Sequence, residues 1–427
     1  MANLIFLVVV CGLYFLAFRR PGFACGYVLA SYALEQCAQA FVPVAGLNDS
    51  LCNYLIAGAV LVGLAAKLMR EGTAVFHFRL PAVTAVALIA YCYATLLWSL
   101  FPSTTERSLN SALPYLVVFA GLAPLLVRSP LDMDDALASF LVSSSLSLSV
   151  LLLFAQWGNR GVVLPFQGYE SNPLAVTQAA GALLIVVAFG PQIRRLSLAP
   201  RVTLLAVLLT IVLFIFLRSA SRGQIVSAVI TTVIFSALGR GTKWLPLVFL
   251  GVFGLLAMGV LEEEVSRNAA RWEADQVRGD ILDARVGKAE LLLSYWLRAS
   301  PTHVILGLGH ATAQDPRLLG GYPHVVPAEV LAEEGLVGFA IYLSALLTAS
   351  FYLYRAYRQY EPETRHIVLA AGALLTYEFL LTLKQGTIFG AAAFLLLLVL
   401  PGSLVVRREE EKESNLRLFL PGVHRPT

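Results

Sequence analysis

Two arginines four residues apart, Arg218 and Arg222 in Leu-Arg-Ser-Ala-Ser-Arg-Gly-Gln, stand out from an otherwise apolar region. A single histidine, His324, follows a Gly-Gly-Tyr-Pro turn and precedes another apolar run. Arginine carries a permanently charged planar fork that grips phosphate oxygens in pairs. Histidine accepts a proton near neutral pH, so it can deprotonate a hydroxyl nucleophile. Arg285 heads an amphipathic stretch on the same hydrophilic segment as His324, and Lys384 emerges from an apolar run where it can reach a phosphate. Ser219 and Ser221 are placed to cap the helix that begins near Arg222. Glu333, nine residues after His324, is placed to orient the histidine or an arginine. Each residue also has a plainer use. Arg218 and Arg222 can anchor two span ends, Arg285 can be a solvated loop arginine, and His324 can simply be interfacial.

The elements that position these residues are apolar. The chain has 427 residues, 58% hydrophobic and 14% charged, against about 25% charged in a soluble domain. Runs of the roughly 20 apolar residues that a membrane span needs recur along it. They fall at about 2–18, 23–42, 51–69, 80–101, 111–127, 134–156, 172–190, 202–217, 223–238, 244–261, 333–354, 366–383 and 387–406. Lipid offers the backbone no hydrogen-bond partner, so long continuous runs mean helices, and the alternating segments of a barrel are missing. The expected fold is all-α: a polytopic membrane protein of about twelve transmembrane helices, whose first two runs form an irregular or re-entrant pair. Glu35 and Glu378 lie inside apolar runs, where an ionisable group is a functional candidate by default. Lys67, near a run end, is read as snorkelling towards the inner interface.

Basic residues collect in alternate connections, which sets orientation by the positive-inside rule and argues against nucleic-acid binding. Arg70, Arg128, Arg194, Arg195, Arg240, Arg355 and Arg407 mark the inner side. Residues 1–261 then form a helix bundle, 262–332 a long periplasmic loop, 333–406 the last spans and 407–427 a cytoplasmic tail. Within the loop, Ala289, Leu292, Leu293 and Trp296 recur at helical spacing, so 284–298 is expected to be an amphipathic helix. A second helical stretch is expected over 262–280. The five cysteines have no CxxC or metal-type spacing and read as small packing residues. The spacing of His303, His310 and His324 does not resemble a metal motif, so no metal site is expected. No basic segment precedes the first run, so no cleavable signal peptide is expected.

Four pieces, in order, resemble the O-antigen ligase superfamily, which also holds O-antigen polymerases. They are Asn172-Pro173 at the start of a middle span, Ser221-Arg222-Gly223 after Arg218, and Arg285 followed by Pro301 and Gly307-Leu-Gly309. The fourth is His324 with Glu333, Gly335 and Gly338. Val325 departs from the pattern, replacing the polar residue usual after the histidine. The resemblance implies a glycan donor on undecaprenyl diphosphate and an acceptor hydroxyl on lipid A–core. It implies inverting transfer at the periplasmic face of a bacterial inner membrane, without a cofactor or metal. His324, Arg222 and Arg285 would be catalytic, and Arg218 and Lys384 would hold the diphosphate beside Arg222 and Arg285. Glu333, Asn172 and Ser221 would support them. The alternatives are the polymerase, which extends the glycan on the same carrier, and a lipid or glycan transporter. A transporter would tend to show inverted repeats, and none is visible.

Overall fold

The computed structural model describes residues 2–48, 50–72, 79–158, 161–219, 221–238 and 286–405. Arg285 and the stretches expected to be helical at 244–261 and 262–280 lie outside them, as does the tail from residue 406. The described chain is an all-helical membrane protein apart from one short β-hairpin. Helix α1 spans Ala2–Arg19, α2 Gly22–Leu29, α3 Ser31–Phe41, α4 Leu51–Glu71 and α5 Leu80–Ala94. Then come α6 Pro102–Tyr115, α7 Pro130–Phe154, the hairpin β1 Val163–Leu164 and β2 Tyr169–Glu170, and α8 Pro173–Phe189. Helix α9 is Leu198–Ser219, α10 Arg222–Leu238, α11 Gly287–Arg298, α12 Pro301–Leu306 and α13 Val326–Glu333. The last are α14 Gly335–Gln359, α15 Pro362–Thr382 and α16 Ala392–Val399.

Eight of the described helices are long and apolar enough to cross a membrane, and three shorter apolar ones accompany them. The second apolar run is not one helix. It breaks at Ala30, whose φ of −86° and ψ of 2° end α2 before α3 begins. Pro114 inside α6 removes an amide donor, and the helix continues as a π turn and a 3-10 turn to Leu126.

Helix α8 is the hub. Every residue from Val176 to Phe189 is buried, and α3, α7, α9, α10 and α15 all pack on it. A helix apolar on all sides belongs in such a position. Its start is written locally: the Asn172 side chain accepts the Leu174 amide at 3.0 Å and Pro173 follows as the first helical residue. Close approach elsewhere depends on small residues. A Cβ on Gly26 of α2 would lie 2.2 Å from the Ala136 carbonyl of α7.

Charges sort to the two ends. At the end opposite the hairpin, Lys67 does not snorkel. It is 2% exposed, and its Nζ donates to the Leu126 carbonyl at 2.7 Å and to Asp132 at 3.1 Å. Asp132 reaches this point because Ser129 caps α7, so the carboxylate sits one turn inside the helix start. A buried lysine finds its counter-charge on the neighbouring helix rather than in water.

At the hairpin end, α11, α12 and α13 form a small subdomain around Leu292, Trp296, Leu308, Ala313 and Ala332. Ala289 is buried and Leu293 packs against this core, so the face expected to be apolar is the one that packs. The Gly307-Leu308-Gly309 backbone docks on the end of α13: Leu308 N–H donates to the Ala332 carbonyl at 3.0 Å and Gly309 N–H to Glu333 at 2.9 Å. Leu100 N–H donates to Leu308 at 2.9 Å, tying the segment to the end of α5. A second tie joins Asp315 to Thr104 at 2.7 Å and to the Arg317 fork at 2.8 and 3.0 Å. That fork holds the Asp315 carboxyl well below the usual carboxylate range.

Candidate functional site

The hairpin end holds a polar cavity of about 130 Å³, walled by Tyr32, Asn172, Gln178, Tyr322, Glu378 and Gln385, among others. Four elements bring these residues together. Helix α8 contributes its capping Asn172 and, one and a half turns on, Gln178. Helix α15 contributes Glu378 and ends just before Lys384 and Gln385. The loop before α13 contributes Tyr322, and α3 contributes Tyr32.

A chain of side-chain amides runs along the cavity wall. Lys384 Nζ donates to Gln224 Oε1 at 2.6 Å, and Gln224 Nε2 donates to Gln385 Oε1. Gln385 Nε2 donates to Gln178 Oε1 at 2.9 Å, and Gln178 Nε2 donates to Glu378 Oε2 at 2.8 Å. Each amide accepts on oxygen and donates from nitrogen, so the relay has one direction, from ammonium to carboxylate. The Lys384 ammonium at its head polarises the bonds along it the same way. Gln224 is fully buried and Glu378 is 5% exposed, while Lys384 at the head of the relay is half-buried. Gln178, Gln224 and Gln385 were not singled out in the sequence. Their signal was available: a long polar side chain inside or at the edge of an apolar run needs a partner.

Arg222 lies two residues before Gln224 of the relay, and Arg218 four residues earlier. Arg218 ends α9 and packs over the Trp157 ring, 5.6 Å from its centre. Arg222 opens α10, α9 having ended at Ser219, and both arginines are half-buried. Lys384 lies over the neighbouring Gly223, where a Cβ would meet its Nζ at 2.5 Å. The break itself is stitched by hydroxyls: Thr177 donates to Ser219 Oγ at 2.6 Å, and Ser221 to the Ser219 carbonyl at 3.3 Å. The Ser221 hydroxyl therefore braces the turn, and the Ser221 carbonyl accepts from Gln224.

His324 is half-buried, and its ring meets the edge of Tyr322 with 4.3 Å between centres. Tyr322 lines the cavity, so the histidine stands beside it. Its φ of 64° is left-handed; among the described non-glycine residues only Ala311, at 59°, shares this. Such a conformation costs about 1–3 kcal/mol and concentrates at functional sites.

Glu333 is held elsewhere than expected. Its two oxygens accept the Ala311 and Ala313 amides at 2.6 and 2.8 Å, because it ends α13 facing that turn. It fixes the 310–313 loop rather than His324 or an arginine.

Glu329 and Glu334 are also buried, at 1% and 0% exposure. Among the described residues the Ile388 amide faces Glu329, and neither Glu329 oxygen closes a hydrogen bond of normal geometry. Burial, then the neighbouring Glu333 and Glu334, push the Glu329 pKa well above its ordinary value. A folded-state pKa raised above the unfolded value of about 4.3 means stability falls as pH rises past that value. Glu329→Gln removes the penalty. It is expected to stabilise the protein by about 1–3 kcal/mol near pH 8 and by less near pH 4. Thermal unfolding in detergent at the two pH values measures this; equal midpoints for both proteins near pH 8 would mean the carboxylate is partnered.

No protein-family model matches the chain, and no curated protein matches it.

Proposed function

We propose that the protein transfers a glycan from a lipid diphosphate to a sugar hydroxyl, as an O-antigen ligase acting on lipid A–core. One observation carries most of this reading. Asn172, Gln178, Glu378 and Gln385 share one cavity with Tyr322, the neighbour of His324, while Lys384 and Gln224 extend the same network towards Arg222. A hydroxyl-rich sugar needs paired donors and acceptors, which the amide relay and Glu378 supply. A diphosphate leaving group needs fixed cations, which Arg218, Arg222 and Lys384 supply.

In this reading the acceptor hydroxyl attacks the anomeric carbon and gives its proton to His324. The glycosidic C–O bond breaks on the opposite face, and the diphosphate takes the bonding pair. Arginines in a partly dry site stabilise the charge that develops there. Arg285 is proposed to join them from the long loop. The orientation follows the basic connections: the cavity end faces the periplasm of a bacterial inner membrane, the loop over 262–332 covers it, and about twelve spans complete the bundle. Both lipid tails would lie against the apolar helices.

Purified protein, given undecaprenyl-diphosphate glycan and either lipid A–core or a second carrier-linked glycan, tests the reaction. Transfer to lipid A–core is the expected result. Elongation on the carrier alone would replace the ligase with the polymerase, and no turnover of either kind would remove the enzyme reading.

A further inference from the structure

Three potential metal ligands, separated along the sequence, meet in the interior. Cys92 lies near the end of α5, His310 follows Gly307-Leu-Gly309, and Glu334 joins α13 to α14. All three are buried, at 0%, 1% and 0% exposure. His310 Nδ1 lies 2.8 Å from Glu334 Oε1, and Cys92 Sγ lies 3.5 Å from the same oxygen. Their ligand atoms all fall within 4.8 Å of one another. The second carboxylate oxygen, Glu334 Oε2, is buried and has no hydrogen-bond partner among the described residues.

We propose that Cys92, His310 and Glu334 bind a divalent cation of the zinc class. Bond lengths of about 2.3 Å to sulfur and 2.0 Å to nitrogen or oxygen place tetrahedral ligands roughly 3.3–3.5 Å apart. The Cys92–Glu334 separation already fits, and the His310–Glu334 pair needs to open by about half an ångström. One thiolate and one carboxylate cancel a divalent charge, so the buried site is neutral when loaded. Sulfur and imidazole favour zinc over the hard cations magnesium and calcium. Cys92 gives its thiol proton to solvent on binding. Glu334 Oε2 or a water completes the shell.

The surroundings hold the ligands in place. The His310 amide donates to Thr95 Oγ1 at 2.9 Å, and its carbonyl accepts from Thr105 at 2.7 Å. The Phe389 ring covers the imidazole with 4.4 Å between centres. The cation therefore fastens three elements, the end of α5, the loop after Gly309 and the start of α14. Its role is structural, and the inference does not depend on the glycan reading.

Chelator-treated full-length protein in detergent, titrated with cobalt(II) and then zinc, tests this. The expected result is about one equivalent bound, with a thiolate-to-cobalt charge-transfer band that zinc abolishes. Cys92→Ser should lose the band, and His310→Gln should weaken binding beyond the roughly 10–100-fold that an outer-shell partner is worth. Cys52→Ser, a buried cysteine elsewhere, should keep both band and affinity. Wild-type protein that takes up neither ion overturns the site even if a variant fails to fold. So does a Cys92→Ser protein that keeps the band.

Discussion

His324→Ala is expected to lower glycan transfer by about 10²–10⁴-fold, the usual contribution of one general base. Alanine also changes a residue held at a φ of 64°, so loss of activity alone would mix chemistry with backbone strain. His324→Asn separates the two. Asparagine tolerates the left-handed region well but has no group that takes up a proton near neutral pH. Both variants should bind the lipid-linked donor and fail to transfer. Arg222→Ala should lose transfer on a similar scale, because an electrostatic donor at a developing anion contributes about 3–4 kcal/mol. Full turnover by His324→Asn would end the base assignment, and full turnover by Arg222→Ala would end the leaving-group assignment.

Gly335→Ala is expected to destabilise the protein by about 2–4 kcal/mol and to dismantle the hairpin-end subdomain. Gly335 has a φ of 70°, and a Cβ there would lie 2.3 Å from the Gly307 amide and 2.5 Å from the Ile305 carbonyl. Those atoms are backbone and cannot swing aside. The substitution therefore pushes apart the joint at which the Gly307–Gly309 segment docks on α13. Gly320→Ala is the control. Its φ is 61°, but its nearest contact would be 3.8 Å away, so it carries the strain without the clash. Thermal unfolding of the two variants should differ by about the clash term, 1–3 kcal/mol. Equal midpoints would show that the joint yields.

The sequence already told which parts of this fold were local. Asn172-Pro173 reads as a helix start because an amide cap and a proline act within one turn, and the structure has that cap. The apolar face of α11 was legible because helical spacing alone decides which of its side chains align. The amide relay was not legible, because Gln178, Gln224 and Gln385 sit on three elements and meet only through packing on α8. Lys67 was misread for the same reason: its partner Asp132 is 65 residues away. Glu333 was placed near His324 by short separation along the chain, but the direction of its side chain from the end of α13 decided its partners. The Cys92–Glu334 contact spans 242 residues, a distance at which spacing rules for metal ligands carry no information.

The sealed flank of α8 has an electrical consequence. Its peptide dipoles run through a helix buried from Val176 to Phe189 and end at Asn172 on the cavity. A helix of this kind carries roughly half a positive elementary charge at its first turn. Helix α10 begins close by, joined to the cavity through Gln224 and Gln385. The cavity end thus has a positive bias built from backbone, which neither pH nor side-chain substitution removes. An anion should therefore retain measurable affinity for this end of the bundle even after Arg218, Arg222 and Lys384 are neutralised.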